Sequence, residues 1–177
     1  MARVFFVAML SFDIGALHEQ AARVDGFLSR DDAVWQEGDP KPVTAVHATG
    51  RLSSAGSERY YWSGRLEGVV EGACRRCLTG LSAPVGEEVH FIFAETDDAE
   101  AEDPDVFALP AGAHTVDLRP AIREQWLLSA PTFALCREDC KGLCAKCGAD
   151  LNIAACTCEP EVDTRWDALR KLRGEAR

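Results

Sequence analysis

The sequence predicts an α+β protein: a mainly antiparallel β-sheet with a central helix, a cysteine-rich segment and a short C-terminal helix. Three observations carry this. Apolar residues alternate with polar ones over several stretches of the first half, the signature of half-buried strands. One stretch, Asp117–Ser129, has its apolar residues at helical spacing instead. Six of the eight cysteines fall within the 23 residues from Cys136 to Cys158.

The elements follow in order. Arg3–Leu10 reads as an opening strand. Arg3 and the apolar run Val4–Leu10 imitate the start of a signal peptide, but a single base, a minimal apolar stretch and the nearby Asp13 favour the strand and a cytoplasmic protein. Asp31–Pro42, with Gly38, Asp39, Pro40 and Pro42, is a loop. Val43–Leu52 is a second strand. Glu58–Cys74 is a long one, with Tyr60, Trp62, Leu66 and Val70 on one parity and Gly64, Gly68 and Gly72 marking bulges or bends. After a turn near Leu78–Leu81, Val85–Phe93 runs back with Val85, Val89, Phe91 and Phe93 on one face. The pair Cys74 and Cys77 therefore falls at the turn of a hairpin. In the helix Asp117–Ser129, Asp117 is the expected N-cap and Pro120 lies in the first turn, where its missing N–H costs little. Thr164 to Asp167 resembles a capping box opening a helix from Arg165 to Arg173.

The chain divides into a β-rich domain, 1–130, and a cysteine-rich segment with the last helix, 131–177. At 177 residues with 47% hydrophobic residues it supports one domain with a small appendage. The longest apolar run, seven residues, is far short of the roughly 20 a membrane span needs. Net charge is −10, which excludes a chain coated in positive charge. Seven acids lie between Glu95 and Asp105 with no base; without them the rest carries −3. This stretch, 95–105, is expected to be a mobile acidic loop.

Cys74-Arg-Arg-Cys77 and Cys144-Ala-Lys-Cys147-Gly148 are C-x-x-C pairs, Cys156-Thr-Cys158 is a tighter pair, and Cys136 and Cys140 form a looser one. Paired thiols near in sequence pre-organise two corners of a metal tetrahedron, and another pair supplies the other two. The proposed partition joins Cys144 and Cys147 to Cys156 and Cys158. It joins Cys74 and Cys77 to Cys136 and Cys140, across 58 intervening residues. One shared cluster of the six late cysteines, or a single ion with spare thiols, satisfies most of the same spacings. No histidine lies among the cysteines; His18, His47, His90 and His114 are scattered. Thiolates favour zinc over magnesium or calcium and also suit iron–sulfur clusters. Two zinc ions in four-thiolate sites would take the formal charge from −10 to about −14. Arg75, Arg76, Arg137, Lys141 and Lys146, beside the cysteines, are positioned to offset that charge. Arg170, Lys171 and Arg173, in the last turn of the C-terminal helix, suit its dipole and also form a candidate RNA or partner contact.

The order of these motifs resembles a known family. A C-x-x-C after a β-rich half is followed by Asp117-Leu-Arg-Pro-Ala-Ile-Arg-Glu124. Then come Cys136-Arg-Glu-Asp-Cys140-Lys-Gly-Leu-Cys144-Ala-Lys-Cys147-Gly148-Ala-Asp-Leu-Asn152, Cys156-x-Cys158, and Asp163-Thr-Arg165-Trp-Asp-Ala-Leu169-Arg-Lys-Leu172. Over roughly 60–173 this is similar to the bacterial YceD family, the large-ribosomal-RNA-subunit accumulation proteins. The departures, Ala145 where relatives often have Pro and Thr164 in Asp163-Thr164-Arg165, touch turn or cap residues and spare every thiol. The resemblance implies a cytoplasmic, non-enzymatic protein needed for normal levels of large-subunit ribosomal RNA. Its partner would be a precursor of the large subunit or a ribosomal protein; a basic ribosomal protein suits the acidic loop.

Two other readings stand beside this one. Cys74 and Cys77 form a redox-responsive dithiol in the first, with Arg75 and Arg76 favouring the thiolate. A redox C-x-x-C, however, is expected at a helix start in a βαβ unit. The second is an enzyme, but the chain has no Gly-rich phosphate loop, Gly-x-Ser-x-Gly turn or His-Glu-x-x-His helix.

Overall fold

The computed structural model describes residues 10–56, 58–95, 106–158 and 165. The strand expected over Arg3–Leu10 (apart from Leu10), nearly all of the acidic stretch and the C-terminal helix, with Arg170, Lys171 and Arg173, lie outside them.

The described chain runs β1 (Ser11–Asp13), α1 (Ile14–Glu19), β2 (Ala22–Ser29), β3 (Ala45–Ser54), β4 (Arg59–Ala73), β5 (Gly80–Glu95), β6 (Val106–Leu109), β7 (Thr115–Asp117) and α2 (Arg119–Ser129). It is mostly sheet. Five strands form one sheet in the order β2-β3-β4-β5-β6, and β1 and β7 form a two-stranded one. Every pairing is antiparallel except β5 with β6.

The alternation in the sequence sets which face is buried. Tyr60, Trp62, Leu66 and Val70 of β4 and Val85, Val89, Phe91 and Phe93 of β5 are buried, as their parity predicts. Val24 and Leu28 of β2 and Val46, Ala48 and Leu52 of β3 join them. Side chains of the opposite parity, such as Arg23, Arg51, Arg65 and His90, face out.

The glycines of β4 do not make bulges. Residue for residue, β4 pairs with β5 from Arg59↔Ala94 to Ala73↔Gly80 without a break. Gly64 is required by close approach instead. It lies opposite Gly50, and a Cβ on it would clash with the Thr49 carbonyl oxygen. Gly68 seats the ring of Trp126, two of whose atoms would lie 2.8 Å from an added Cβ.

Helix α2 buries Ala121, Ile122 and Trp126 against this seat. Its start differs from expectation. Pairing with Ser11 draws Asp117 into β7, so the helix begins after Leu118, which gives no side-chain cap. Asp117 Oδ1 still accepts the Arg119 N–H at 3.0 Å. The 31–42 loop is fastened to α2 by three hydrogen bonds and an ion pair: Trp126 Nε1 donates to the Pro40 carbonyl at 2.7 Å, Arg123 donates twice to Asp39, at 2.7 and 3.0 Å, and Arg119 lies 3.6 Å from Asp32.

Candidate metal centre

The β4–β5 hairpin carries the first cysteine pair at its tip. Beyond Ala73↔Gly80 the connecting residues are Cys74-Arg-Arg-Cys77-Leu78-Thr79. The Cys74 N–H donates to the Thr79 carbonyl at 2.8 Å, and the Leu78 N–H donates to the Cys74 carbonyl at 2.9 Å. The second C-x-x-C turn repeats this bonding. There, the Cys144 N–H donates to Ala149 O at 2.8 Å and the Gly148 N–H to Cys144 O at 2.9 Å. In both turns the residue after the second cysteine is left-handed, Gly148 at φ 71° and Leu78 at φ 60°. That conformation costs a non-glycine residue about 1–2 kcal/mol. Leu78 takes it with its side chain 66% exposed, held by the turn's own hydrogen bonds.

That crossing chain follows α2. The Arg75 N–H donates to the Ala134 carbonyl at 3.0 Å, and the Arg75 guanidinium lies 4.6 Å from the Phe133 ring centroid. Arg76 Nη1 donates to the carbonyls of Cys140, at 2.8 Å, and Glu138, at 3.3 Å. The Leu143 N–H donates to Arg76 O at 3.0 Å. Leu81, Leu135 and Leu143 pack around buried Cys74, Cys77 and Cys140. Arg75 and Arg76, read from the sequence only as charges beside the cysteines, brace one segment on the other.

The result is two groups of four sulfurs. Cys74, Cys77, Cys136 and Cys140 form one; Cys144, Cys147, Cys156 and Cys158 form the other; in each, all ligand atoms lie within 4.8 Å of one another. The partition read from spacing is the one the chain adopts, and the shared six-cysteine cluster is not formed. Cys74 Sγ lies 3.8 Å from Cys140 Sγ, and Cys77 Sγ lies 3.6 Å from Cys136 Sγ. A tetrahedral zinc at the usual sulfur distance of about 2.3 Å has edges of about 3.8 Å, so these separations fit.

The local electrostatics also suit a cation. Backbone N–H groups of Cys136, Cys77 and Arg76 aim at the Cys74 sulfur and bring its pKa down to about 6. Those of Cys147 and Lys146 do the same for Cys144, again to about 6. The Thr79 hydroxyl, 3.3 Å away, and its N–H hold Cys77 down. Their neighbours go the other way: Cys136 is pushed up to about 12, first by Cys77 and then by burial. Cys158 is pushed up to about 12, first by Cys147. In each group the sulfurs repel one another's charge, a conflict that a divalent ion at the centre removes. Both groups are compatible with a metal such as zinc.

Sequence reasoning did not find Asn152. It lies between Cys147 and Cys156, yet its side chain reaches Cys140 of the other group, with Nδ2 3.5 Å from the sulfur. Its Oδ1 accepts from the Lys141 N–H and from Arg137 Nη2, both at 2.8 Å. A lone asparagine in a loop carries no spacing signal of its own.

A mainly antiparallel sheet whose longest hairpin closes on one four-cysteine group, with a second group following it, defines the class. The family model described as "Large ribosomal RNA subunit accumulation protein YceD" matches residues 62–173, and the chain belongs to this family. An uncharacterized protein of Mycobacterium tuberculosis is 29% identical over 119 residues, covering 67% of this chain and 58% of the relative. The maize protein named large ribosomal RNA subunit accumulation protein YCED homolog 1, chloroplastic, is 29% identical over 131 residues, 54% of this chain and 44% of the relative. The Arabidopsis thaliana protein of the same name is 36% identical over 70 residues, 39% of this chain and 22% of the relative. The chain thus spans little more than half the length of the mycobacterial relative. No solved structure matches. Among the described residues, no helix is long and apolar enough to cross a membrane.

Proposed function

We propose that the protein is a non-enzymatic, cytoplasmic factor that supports accumulation of large-subunit ribosomal RNA and assembly of the large ribosomal subunit. Zinc held by the eight cysteines would have a structural role, one ion in each group. The observation that carries this is the closed donor set: four sulfurs within 4.8 Å of one another in each group, with two separations in the first, 3.8 and 3.6 Å, that match a tetrahedron's edge. Four thiolates leave no position for water or substrate, so such an ion orders the chain and does no chemistry. The printed names of the family and its plant members supply the ribosomal context.

The two segments, 1–130 and 131–177, are then a β-rich domain and a metal-ordered appendage, with the first site stapling one to the other. Cys136–Cys158 has few large hydrophobic residues, and Ile153 is 85% exposed, so metal binding supplies much of its order. The partner is a precursor of the large subunit or one of its proteins. Direct RNA contact through Arg170, Lys171 and Arg173 is part of the proposal. The redox alternative is disfavoured because Cys74 and Cys77 cap a β-hairpin and have two more sulfurs at 3.6–3.8 Å.

The test is depletion of the protein, with the ratio of large- to small-subunit ribosomal RNA as readout and the protein followed through a sedimentation gradient. A fall in the ratio and co-migration with large-subunit precursors are expected. An unchanged ratio, with the protein only at the top of the gradient, contradicts the proposal.

A further inference from the structure

We propose that Asn152 couples the two four-cysteine groups, so that metal in the second increases retention of metal in the first. The inference rests on the metal reading above and goes beyond it, because the spacing of the cysteines by itself describes two independent sites.

The geometry of one side chain carries the argument. The Lys141 N–H can only donate, so the Asn152 atom facing it at 2.8 Å must be the oxygen. That fixes the amide. Its Nδ2 then faces the Asp150 carboxylate at 2.7 Å and the Cys140 sulfur at 3.5 Å. The Asn152 N–H also donates to Asp150 Oδ1, at 2.8 Å. Arg137 Nη2 completes the oxygen's partners. The side chain therefore has one usable orientation, and in it an N–H points at a ligand atom of the first group. A hydrogen bond to a ligating thiolate spreads its charge and orients it.

Asn152 itself is positioned by the second group. It lies among the eight residues between Cys147 and Cys156. Metal joining Cys144 and Cys147 to Cys156 and Cys158 closes that loop at both ends. Apart from Asn152's own bonds to Lys141 and Arg137, the loop is held by a few backbone ties and no buried side chain. Ile153 is almost fully exposed, and the ties are the Cys144 N–H to Ala149 O, at 2.8 Å, the Leu151 N–H to Gly142 O, at 2.9 Å, and the Leu143↔Asp150 bridge. Opening the second group frees the loop and withdraws Asn152 from Cys140. Coupling of this kind is reciprocal, so emptying the first site weakens the second by the same factor.

The test loads the full chain with cadmium-113, which gives each four-thiolate site its own resonance, and titrates in a chelator. Four chains are compared: the parent, Asn152→Ala, Cys156→Ser/Cys158→Ser, and their combination. In Asn152→Ala the first site should release its ion to roughly 10–100-fold less chelator, the usual effect of losing a partner of a metal ligand. Cys156→Ser/Cys158→Ser should weaken the first site similarly, and adding Asn152→Ala should weaken it little further. If Asn152→Ala disturbs the fold by near-ultraviolet dichroism, Asn152→Asp combined with Asp150→Asn replaces it: the oxygen for Lys141 stays, the pair keeps its single negative charge, and the donor to sulfur is lost. A first site that holds its ion as firmly in Asn152→Ala as in the parent overturns the coupling. So does a loss of equal size with and without Cys156 and Cys158. A parent chain with fewer than two cadmium resonances is a different result: it overturns the two-metal reading, and the coupling with it.

Discussion

Replacing Gly142 by alanine tests the packing of the crossing chain on the hairpin tip. Gly142 has φ 75°, and a Cβ on it would lie 2.8 Å from the Arg76 carbonyl oxygen and 3.2 Å from Arg76 Cβ. The left-handed backbone costs alanine about 1–2 kcal/mol. A carbon and a carbonyl oxygen normally meet at about 3.3 Å, so the crossing chain must lift by about 0.5 Å. The lift loosens the bond from the Leu143 N–H to the same carbonyl, now 3.0 Å, which is worth about 0.5–1.5 kcal/mol. Together these reach about 1.5–3.5 kcal/mol. The hairpin itself is undisturbed, so the cost falls on assembly of the first group, and its metal affinity drops by roughly 10–400-fold. Gly112→Ala is the control. Gly112 has φ 70° with nothing within 4 Å of an added Cβ, so only the backbone cost applies, away from the cysteines. Chelator competition on both variants reads the difference. Equal metal retention in Gly142→Ala and Gly112→Ala would refute the reasoning.

Trp126→Ala should destabilise the sheet domain by about 3–5 kcal/mol, read as a lowered urea midpoint; the side chain is fully buried over Gly68 and its N–H leaves the Pro40 carbonyl. A loss under 1 kcal/mol would mean that α2 does not depend on this seat. Asp39 is held below its ordinary value of 3.8, chiefly by its hydrogen bonds from Arg123. Its contribution is therefore complete above that value and lost as the pH falls through the depressed one. Asp39→Asn should flatten the fall in stability between about pH 5 and 2 relative to the parent chain, and parallel curves would contradict the assignment.

The sequence made the cysteine partition legible because each close pair supplies two corners of a tetrahedron and eight thiols divide naturally into two fours; the joining of Cys74 and Cys77 to Cys136 and Cys140 across 58 residues carries no local signal, and only the fold selects it over a shared cluster of the late six. The β4–β5 hairpin was legible because both strands bury one parity over long runs. Other elements were hidden for physical reasons. In β2 the inward position between Val24 and Leu28 is Gly26, and the large Phe27 faces out at 55% exposure, so the alternation is blurred. Helix α1 has six residues, too few for a period, although Asp13 caps it through the Ala16 N–H at 2.9 Å. Strands β1, β6 and β7 have three or four residues each, too few to show an alternation; β6 forms on the edge of the long β5, and β1 and β7 form only by pairing with each other across about 100 residues of chain. The glycines of β4 were visible, but whether a glycine marks a bulge or a close approach depends on what lies opposite it. Asn152 acts through space on a cysteine that the sequence assigns to the other group.

The central claim is that the eight cysteines form two separate metal sites. Native mass spectrometry of chain purified without added metal tests it most directly, on the parent and on a Cys74→Ser/Cys77→Ser variant. Two zinc ions in the parent and one in the variant are predicted. A parent chain with no metal and an intact fold, or with one ion that the variant retains, would contradict the claim.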